Sequence, residues 1–178
     1  MDISPEQKTR IQQKLKDHDP SALDDIWSHY GKALYRFLVS RLCSPTEADD
    51  VMQELFIKIA DRRRAVSTAK NLNAYLFRMA RNEAVTHIRK HRKRQEVPLP
   101  EFGLYTKDTN EEVDTARIEQ ALGKINDEQR EVVMLKFFES LTFEQIADAL
   151  SISPNTAASR YRYGMEKLKQ YFDRTGYR

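Results

Sequence analysis

The sequence is poor in the residues that make turns and covalent cross-links. It holds 5 glycines, 6 prolines and a single cysteine, Cys43, among 178 residues. A lone cysteine forms neither an internal disulfide nor a cysteine metal cluster, so Cys43 is expected to be a buried or partly buried thiol. The scarcity of glycine, the 32% of charged residues and the lack of alternating apolar runs favour an all-α protein.

Long hydrophobic runs are also missing. No apolar segment approaches the length of a membrane span, and the polar start of the chain, MDISPEQKTR, lacks the apolar core of a signal peptide. We therefore expect no membrane insertion and a cytoplasmic location.

The patterns that mark enzymes are absent as well. The sequence has no Gly-rich phosphate loop and no nucleophile constellation, so we expect neither an enzyme nor a cofactor. His87 and His91 lie one helical turn apart, but the segment between them is cationic and holds no carboxylate of the H-E-x-x-H type. A metal site is therefore not expected.

The net charge of +3 is small, but the charges are unevenly distributed. Residues 78–94 hold seven Lys or Arg against one Glu, whereas residues 95–116 hold six acids against one Lys, together with two prolines and a glycine. The second segment has no helical periodicity and is predicted to be an acidic flexible linker. It divides the chain into two small helical domains, residues 1–94 and residues 117–178.

Within the C-terminal domain, two predicted helices are separated by a very short corner. Thr142 and Gln145 form a capping box that starts the first helix, and Ser153 with Pro154 starts the second. Only Ser151 and Ile152 remain between them. This spacing predicts a helix-turn-helix.

The second of these helices is predicted to present a polar surface. Its inward residues are Ala157, Tyr161, Met165, Leu168 and Phe172, and its outward residues are Asn155, Thr156, Ser159, Arg160, Tyr163 and Lys167. Short polar and cationic side chains near a helix N-terminus suit base edges in a major groove. Short helical corners also occur in all-α proteins that bind no DNA, so this pattern alone leaves both interpretations open.

The N-terminal domain begins with two predicted amphipathic helices. The first buries a stripe made of Leu23, Ile26, Trp27, Tyr30, Leu34, Phe37, Leu38 and Leu42, which we interpret as core. The second starts at a capping box, Ser44 to Glu47 with Pro45 between, and has its apolar face at Val51, Met52, Leu55, Phe56 and Ile59. Its outer face carries Asp49, Asp50, Gln53, Glu54 and Lys58, a row that could also be simply solvated.

A third predicted helix, residues 72–94, places aromatic, cationic and amide groups on one surface. Leu72, Leu76, Met79, Ala80, Ala84 and Ile88 form its apolar arc, and Tyr75, Arg78, Asn82, Thr86 and Arg89 form a narrow stripe away from it. Arg81, Arg92 and Lys93 flank the stripe. Such a surface suits an unpaired base and its backbone, although a solvated basic helix is the competing interpretation.

Three motifs in order across the linker are ADDVMQELFIKI (residues 48–59), NLNAYLFRMARNEAVTHIRKHRKR (residues 71–94) and INDEQREVVMLKFFESLTFEQIADALSISPNTAASRY (residues 125–161). Together they resemble a bacterial sigma factor of the small extracytoplasmic-function (ECF) type, over nearly the whole span from Asp19 to Phe172. The resemblance implies a factor that binds core RNA polymerase, recognises the promoter minus-ten and minus-thirty-five elements and initiates transcription. A polymerase-independent helix-turn-helix regulator is the alternative.

The resemblance also implies roles for individual residues. Polymerase binding, at the clamp of the largest subunit, falls to Asp49, Asp50, Gln53 and Glu54, and the flap of the second subunit is a further implied contact. The residues implied to bind minus-ten DNA are the segment 65–73 and Tyr75, Arg78, Asn82, Thr86, Arg89, Arg92 and Lys93. The residues implied to bind minus-thirty-five DNA are Asn155, Thr156, Ser159, Arg160 and Tyr163. Control by a separate anti-sigma factor or another signal is also implied.

Overall fold

The computed structural model describes residues 3–92 and 120–175, and the regular elements in those ranges are all helical. The N-terminal helices are α1 (Pro5–Lys16), α2 (Ser21–Leu42), α3 (Pro45–Asp61), α4 (Arg63–Ser67) and α5 (Leu72–Arg92). The C-terminal elements are α6 (Asp127–Val133), a π-helical turn (Met134–Phe138), α7 (Phe143–Leu150) and α8 (Pro154–Arg174). The predicted all-α class is confirmed.

Two further predictions concern the linker and the absence of membrane insertion. The predicted linker, residues 95–116, lies outside the described residues, so the exact domain boundaries stay a prediction. Among the helices that are described, none is long and apolar enough to cross a membrane.

Helices α2, α3 and α5 pack against one another and form the N-terminal core. The stripes predicted from periodicity supply it, as shown by the complete burial of Leu34, Leu55 and Leu76. Phe37 and Phe77 meet edge to face with their ring centroids 5.5 Å apart. Such an aromatic pair contributes about 0.5–1.5 kcal/mol beyond its buried area, so α2 and α5 are held at a fixed spacing.

The junction between α2 and α3 follows the predicted capping residues only in part. Cys43 ends α2 in the left-handed conformation, and the Ser44 hydroxyl accepts a hydrogen bond from the Glu47 amide at the start of α3. The predicted capping box is not completed, because only the Ser44 hydrogen bond is present. The Glu47 carboxylate lies 3.6 Å from Nε2 of His87 on α5.

Helix α1 was not predicted from the apolar pattern, although its capping signal is in the sequence. Ser4 and Gln7 form a complete capping box around Pro5. Ile11 and Leu15 are the buried residues of the helix, and Gln12 donates a hydrogen bond to the carbonyl of Ala69 at 2.8 Å. The helix therefore braces α4 and the segment that leads into α5.

The C-terminal helices form a second packed unit around α8. Asn126 caps α6 by accepting a hydrogen bond from the Gln129 amide at 2.8 Å. Gly164 of α8 lies directly on α6, where an added Cβ would come within 2.9 Å of Val133 Cγ2. The absence of a side chain at this position allows the two helices to approach closely.

The two helical regions are in contact with each other. Helix α5 packs against α7, and α2 packs against α6 and the π-helical turn. The buried apolar residues of both regions form one continuous cluster, which runs from Ile3 to Leu168. Helix α5 therefore takes part in the core and also in the contact with the C-terminal helices.

Candidate nucleic-acid and partner interfaces

The acid and amide row predicted on α3 lies on the surface. Asp49, Asp50, Gln53 and Glu54 are all exposed, on the side of the helix opposite the buried Val51, Met52 and Leu55. Asp49 accepts a hydrogen bond from the Tyr35 hydroxyl. Partial burial is the main cause that raises the pKa of Tyr35, and the negative charge of Asp49 adds to it. The row presents negative and amide groups on the surface.

Two apolar side chains near this row are exposed, which the sequence pattern did not indicate. Ile57, one turn beyond Glu54 on the same face, is 56% exposed, and Trp27 of α2 is 57% exposed. The Trp27 ring contacts Phe56 edge to face at 5.3 Å between centroids and covers Gly31. The prediction that Trp27 belongs to the core was wrong, because the residue sits at the margin of its stripe and rests on a glycine.

The predicted stripe on α5 is present, but its two ends have different surroundings. Asn82, Thr86 and Arg89 are exposed, whereas Tyr75 and Arg78 are half-buried. The Arg78 guanidinium lies 4.9 Å from the centroid of the Tyr75 ring, so the cation and the aromatic ring form one unit. Lys93 and the side chain of Arg92 lie outside the described residues.

The segment before α5 is only partly available for recognition. Asn73 is 5% exposed, and its Oδ1 accepts a hydrogen bond from the Tyr30 hydroxyl at 2.6 Å. Asn71 caps α5 by accepting a hydrogen bond from the Ala74 amide at 3.0 Å. Val66, Ser67 and Leu72 are buried as well, while Ala65, Thr68 and Lys70 are exposed. The role of residues 65–73 in reading DNA stays a prediction.

Two arginines at the entry to α4 extend the basic surface and were missed in the sequence. Arg62 and Arg64 are exposed immediately before the segment that contains Thr68 and Lys70. The run of three arginines at residues 62–64 was the available signal. Clustered, exposed guanidinium groups are suited to contacts with the phosphates of a nucleic acid.

The predicted helix-turn-helix is confirmed in its local geometry. Thr142 and Gln145 form the complete capping box of α7, and Ser153 caps α8 by accepting a hydrogen bond from the Thr156 amide. Ser151 ends α7 in the left-handed conformation with φ of 56°. The corner therefore reaches with a serine the backbone geometry that usually favours glycine.

The outward face of α8 is less uniform than the predicted residue set. Asn155 is exposed and Tyr163 is 49% exposed. The Thr156 hydroxyl lies 2.8 Å from that of Ser153, and the Ser159 hydroxyl donates to the Thr156 carbonyl at 3.0 Å. The hydroxyls of Thr156 and Ser159 therefore have partners within α8 and its cap. Asn155 and Tyr163 are more exposed and more accessible to a bound nucleic acid.

Two cations complete this face. Arg160 pairs with Glu128 of α6, with Nη2 and Oε2 2.7 Å apart. Arg162 is exposed and its guanidinium lies 4.9 Å from the Tyr163 ring centroid. Arg162 was not among the predicted residues, although its helical spacing from Asn155 and Ser159 places it on their side of α8.

The two histidines of α5 form a stacked pair. The ring centroids of His87 and His91 are 4.1 Å apart. Burial is the main cause that lowers the pKa of His87, and the charge of the neighbouring His91 lowers it further. Within residues 3–92 and 120–175, no three histidine, cysteine or carboxylate groups are arranged to hold a metal ion. Nε2 of His87 lies 3.6 Å from the Glu47 carboxylate of α3.

Comparison with known proteins gives matches to both helical regions. Residues 26–94 match the family described as Sigma-70 region 2, and residues 121–170 match Sigma-70, region 4. One relative, the ECF RNA polymerase sigma factor SigW of Bacillus subtilis, is 27% identical over 178 aligned residues, which cover 92% of this chain and 95% of the relative.

Solved structures resemble the fold over most of its length. The structure of CnrH in complex with the cytosolic domain of CnrY matches with a TM-score of 0.72 and 20% identity, covering 94% of this chain and 97% of the other. The sigma factor RpoE of Bartonella quintana, in complex with the anti-sigma factor NepR, matches with a TM-score of 0.70 and 22% identity, covering 79% and 90% of the two chains.

Proposed function

The chain belongs to the sigma-70 family and is an ECF-type transcription initiation factor, and from this premise we propose how its surfaces divide the work of initiation. The observation that carries the proposal is the position of the two matches. Region 2 extends from α2 to the end of α5, and region 4 extends from residue 121 into α8. The α5 stripe and the helix-turn-helix thus belong to separate regions of one initiation factor.

The surface of α3 is the docking site for core RNA polymerase. Asp49, Asp50, Gln53 and Glu54 contact the clamp of the largest subunit, and Ile57 and Trp27 supply apolar area next to this row. An apolar centre beside charged groups is the usual anatomy of an interface that combines affinity with orientation. The C-terminal region contacts the flap of the second subunit.

The α5 stripe acts on the minus-ten element after the strands separate. Tyr75 offers a stacking surface for a base, Asn82 offers an amide, and Arg78, Thr86, Arg89, Arg92 and Lys93 contact the backbone. Exposed Arg62, Arg64 and Lys70 extend the phosphate contacts along the same side. Stacking on an aromatic ring with nearby cations is a common way of binding single strands.

The N-terminal end of α8 contacts duplex DNA at the minus-thirty-five element. Asn155 and Arg160 reach base edges or phosphates, Tyr163 with Arg162 contacts the backbone, and Thr156 and Ser159 shape the start of the helix. A capped helix N-terminus adds its own amide groups and dipole to phosphate binding. The contacts on α5 and α8 therefore address different forms of the promoter.

Regulation and location follow from the same assignment. Control by an anti-sigma factor is proposed because a structural relative, RpoE, was solved with such a factor. The protein acts in the cytoplasm, where core polymerase works, and it contributes binding and strand opening without an enzymatic reaction or a cofactor of its own.

Reconstituted transcription tests the proposed function. Purified protein added to core polymerase should give specific transcripts from a library of bacterial promoters, and core polymerase alone is the control. Transcription that remains at the level of core polymerase alone would contradict the proposal. Nanomolar, sequence-specific duplex binding by the isolated chain would then favour a polymerase-independent regulator.

A further inference from the structure

Helix α1 precedes the residues that match Sigma-70 region 2, which begin at residue 26, yet it is fastened to the N-terminal core. Ile11 and Leu15 are each 2% exposed, and Lys14 pairs with Asp25 of α2, with Nζ and Oδ2 2.6 Å apart. The helix packs against α2 and against the short helix α4. Its position is therefore fixed relative to the helices of region 2.

From this position α1 reaches the turn between α4 and α5, residues 68–71. The side-chain amide of Gln12 donates a hydrogen bond to the carbonyl of Ala69 at 2.8 Å, across 57 positions of the sequence. Both residues are half-buried. Because partial shielding from water strengthens a hydrogen bond, this contact is suited to hold the turn in place.

The other backbone contacts of the turn are local. The amide of Ala69 donates to the carbonyl of Val66 at 3.2 Å, and Asn71 caps α5 through the amide of Ala74 at 3.0 Å. Each of these bonds joins residues three positions apart, so it fixes the shape of the turn but not its place on the core. The bond from Gln12 ties the middle of the turn to another helix.

The turn carries side chains that are available to a nucleic acid. Thr68 and Lys70, on either side of Ala69, are exposed, and Tyr75 with its stacked Arg78 guanidinium follows in the first turn of α5. The two soft backbone dihedrals of each residue decide where the neighbouring side chains project. A bond that holds the Ala69 carbonyl therefore limits the directions open to Thr68 and Lys70.

We propose that α1 is a positioning element for the minus-ten contact and that Gln12 is its positioning residue. Gln12 holds the Ala69 carbonyl, so Thr68 and Lys70 meet the opened strand in one arrangement and less conformational entropy is lost on binding. A contact surface that is held in its bound geometry binds more tightly and more selectively than one that its ligand must order. The role in DNA binding rests on the proposed function, whereas the tether itself does not.

Three variants of α1 isolate the tether. Gln12→Met keeps the approximate length and helix propensity of the side chain but removes the donor, and Gln12→Glu keeps the shape but replaces the donor by an acceptor. Gln13→Met is the matched control, because Gln13 is exposed and bonds to Asp17 at the end of the same helix. Far-UV circular dichroism verifies that each variant is folded.

Amide hydrogen exchange in the free full chain tests the tether without polymerase or DNA. A peptide that covers residues 66–74 should exchange about three- to tenfold faster in both Gln12 variants, since the net loss of one hydrogen bond has that size. Gln13→Met should exchange like the wild type. Equal exchange in the wild type and in both folded Gln12 variants would overturn the tether.

Base preference in the holoenzyme tests the positioning role. The probes are a single-stranded oligonucleotide with the minus-ten sequence that the promoter library returns, and the same oligonucleotide with one base substituted at a time. In Gln12→Met the preference for the unsubstituted probe should fall by about three- to tenfold at one or two bases, while binding to core polymerase and to a minus-thirty-five duplex is unchanged. A purely structural role would lower thermal stability and leave this ratio as it is.

Gln12→Lys supplies a rescue, because it restores an N–H donor on a side chain of at least the same reach. It should recover both the exchange protection and the base preference. Faster exchange in Gln12→Met with an unchanged base preference would overturn the positioning role and leave the tether. A wild-type holoenzyme without any preference among the probes would overturn the proposed minus-ten contact, and the positioning role with it, whatever the exchange rates.

Discussion

Glu128 holds Arg160 in place before any DNA is bound, with their side-chain oxygen and nitrogen 2.7 Å apart across the contact between α6 and α8. Arg160 is the cation proposed to contact duplex DNA. The carboxylate is 65% exposed and the guanidinium 23% exposed, so the pair contributes about 0–1 kcal/mol at most. Glu128 therefore orients Arg160 at little cost but also competes with the phosphate or base that Arg160 would bind.

Glu128→Gln should strengthen promoter recruitment modestly. The amide keeps one hydrogen-bond acceptor for Arg160 but removes the competing charge, and a gain of up to about fivefold corresponds to 1 kcal/mol. Holoenzyme binding to a promoter duplex is the measurement. Asp173→Asn, which removes one negative charge elsewhere on the C-terminal surface, is the control, and weaker binding by Glu128→Gln would mean that orientation outweighs competition.

Asp50→Lys combined with Glu54→Lys should abolish assembly with core polymerase. Both side chains are exposed on α3, so the reversal of charge changes the surface and leaves the core intact. Glu166→Lys combined with Asp173→Lys, two exposed acids of α8, makes the same change of net charge away from the row. Co-purification with core polymerase is the readout, and normal assembly of the Asp50 and Glu54 variant would refute the assignment.

Ile57→Ala and Trp27→Ala test the apolar part of the same surface. If these side chains are buried on assembly, each truncation should weaken core binding by about 1–3 kcal/mol, or roughly five- to 150-fold. The thermal stability of the free chain should change little for Ile57→Ala, because that side chain is 56% exposed. Unaltered core binding by both variants would restrict the docking site to the acid and amide row.

The contribution of Glu131 to the stability of the protein should fall as the pH rises past the usual range of a glutamate. Burial raises the pKa of Glu131 above the ordinary value of 4.5, although Arg41 and Arg81 oppose the shift. A raised pKa means that the folded protein binds the proton more tightly than the unfolded chain, so this contribution to stability is present at low pH and is lost as the pH rises through the folded pKa.

Glu131→Gln should remove that part of the pH dependence. Chemical denaturation of the wild type and the variant at a series of pH values above 4.5 is the measurement, and the difference between their unfolding free energies should change with pH only in that window. A difference that stays constant would show that the Glu131 pKa is not raised by folding.

Much of the fold was predictable because local rules and tertiary packing agree. The caps at Ser44, Thr142 and Ser153 place helix starts correctly, and the apolar periodicity identifies the buried arc of α5. Trp27 shows the limit of periodicity, which identifies a face but not its edge. Glu47 shows a second limit, since its side chain does not complete the capping box and lies 3.6 Å from His87 of α5.

The contact between the two regions could not be predicted from the sequence. Arg78 and Asp148 are 70 positions apart, and a helical stripe looks the same whether it faces solvent or another helix. In the sequence, Glu131 is one of several acids near the start of a helix and gives no sign of burial. In the structure it lies buried between two arginines from the other region. Pairings at long sequence separation depend on how whole helices dock, which no local pattern records.

Tyr75 and Arg160 should affect different steps of initiation, because one lies in the α5 stripe proposed for opened DNA and the other near the start of the duplex-reading helix. The loss of a stacking ring costs about 1–3 kcal/mol per base, and a bidentate base contact is worth a similar amount. The size of the defect therefore does not distinguish the two roles, but the form of the template does.

Tyr75→Ala should impair open-complex formation on a duplex promoter and recover partly on a template with a pre-melted bubble. Arg160→Ala should weaken recruitment on both templates, since the minus-thirty-five element stays double-stranded in each. Permanganate footprinting reports the melting, and transcript yield reports recruitment. Normal melting by Tyr75→Ala, or full activity of Arg160→Ala on the bubble template, would contradict this division of labour.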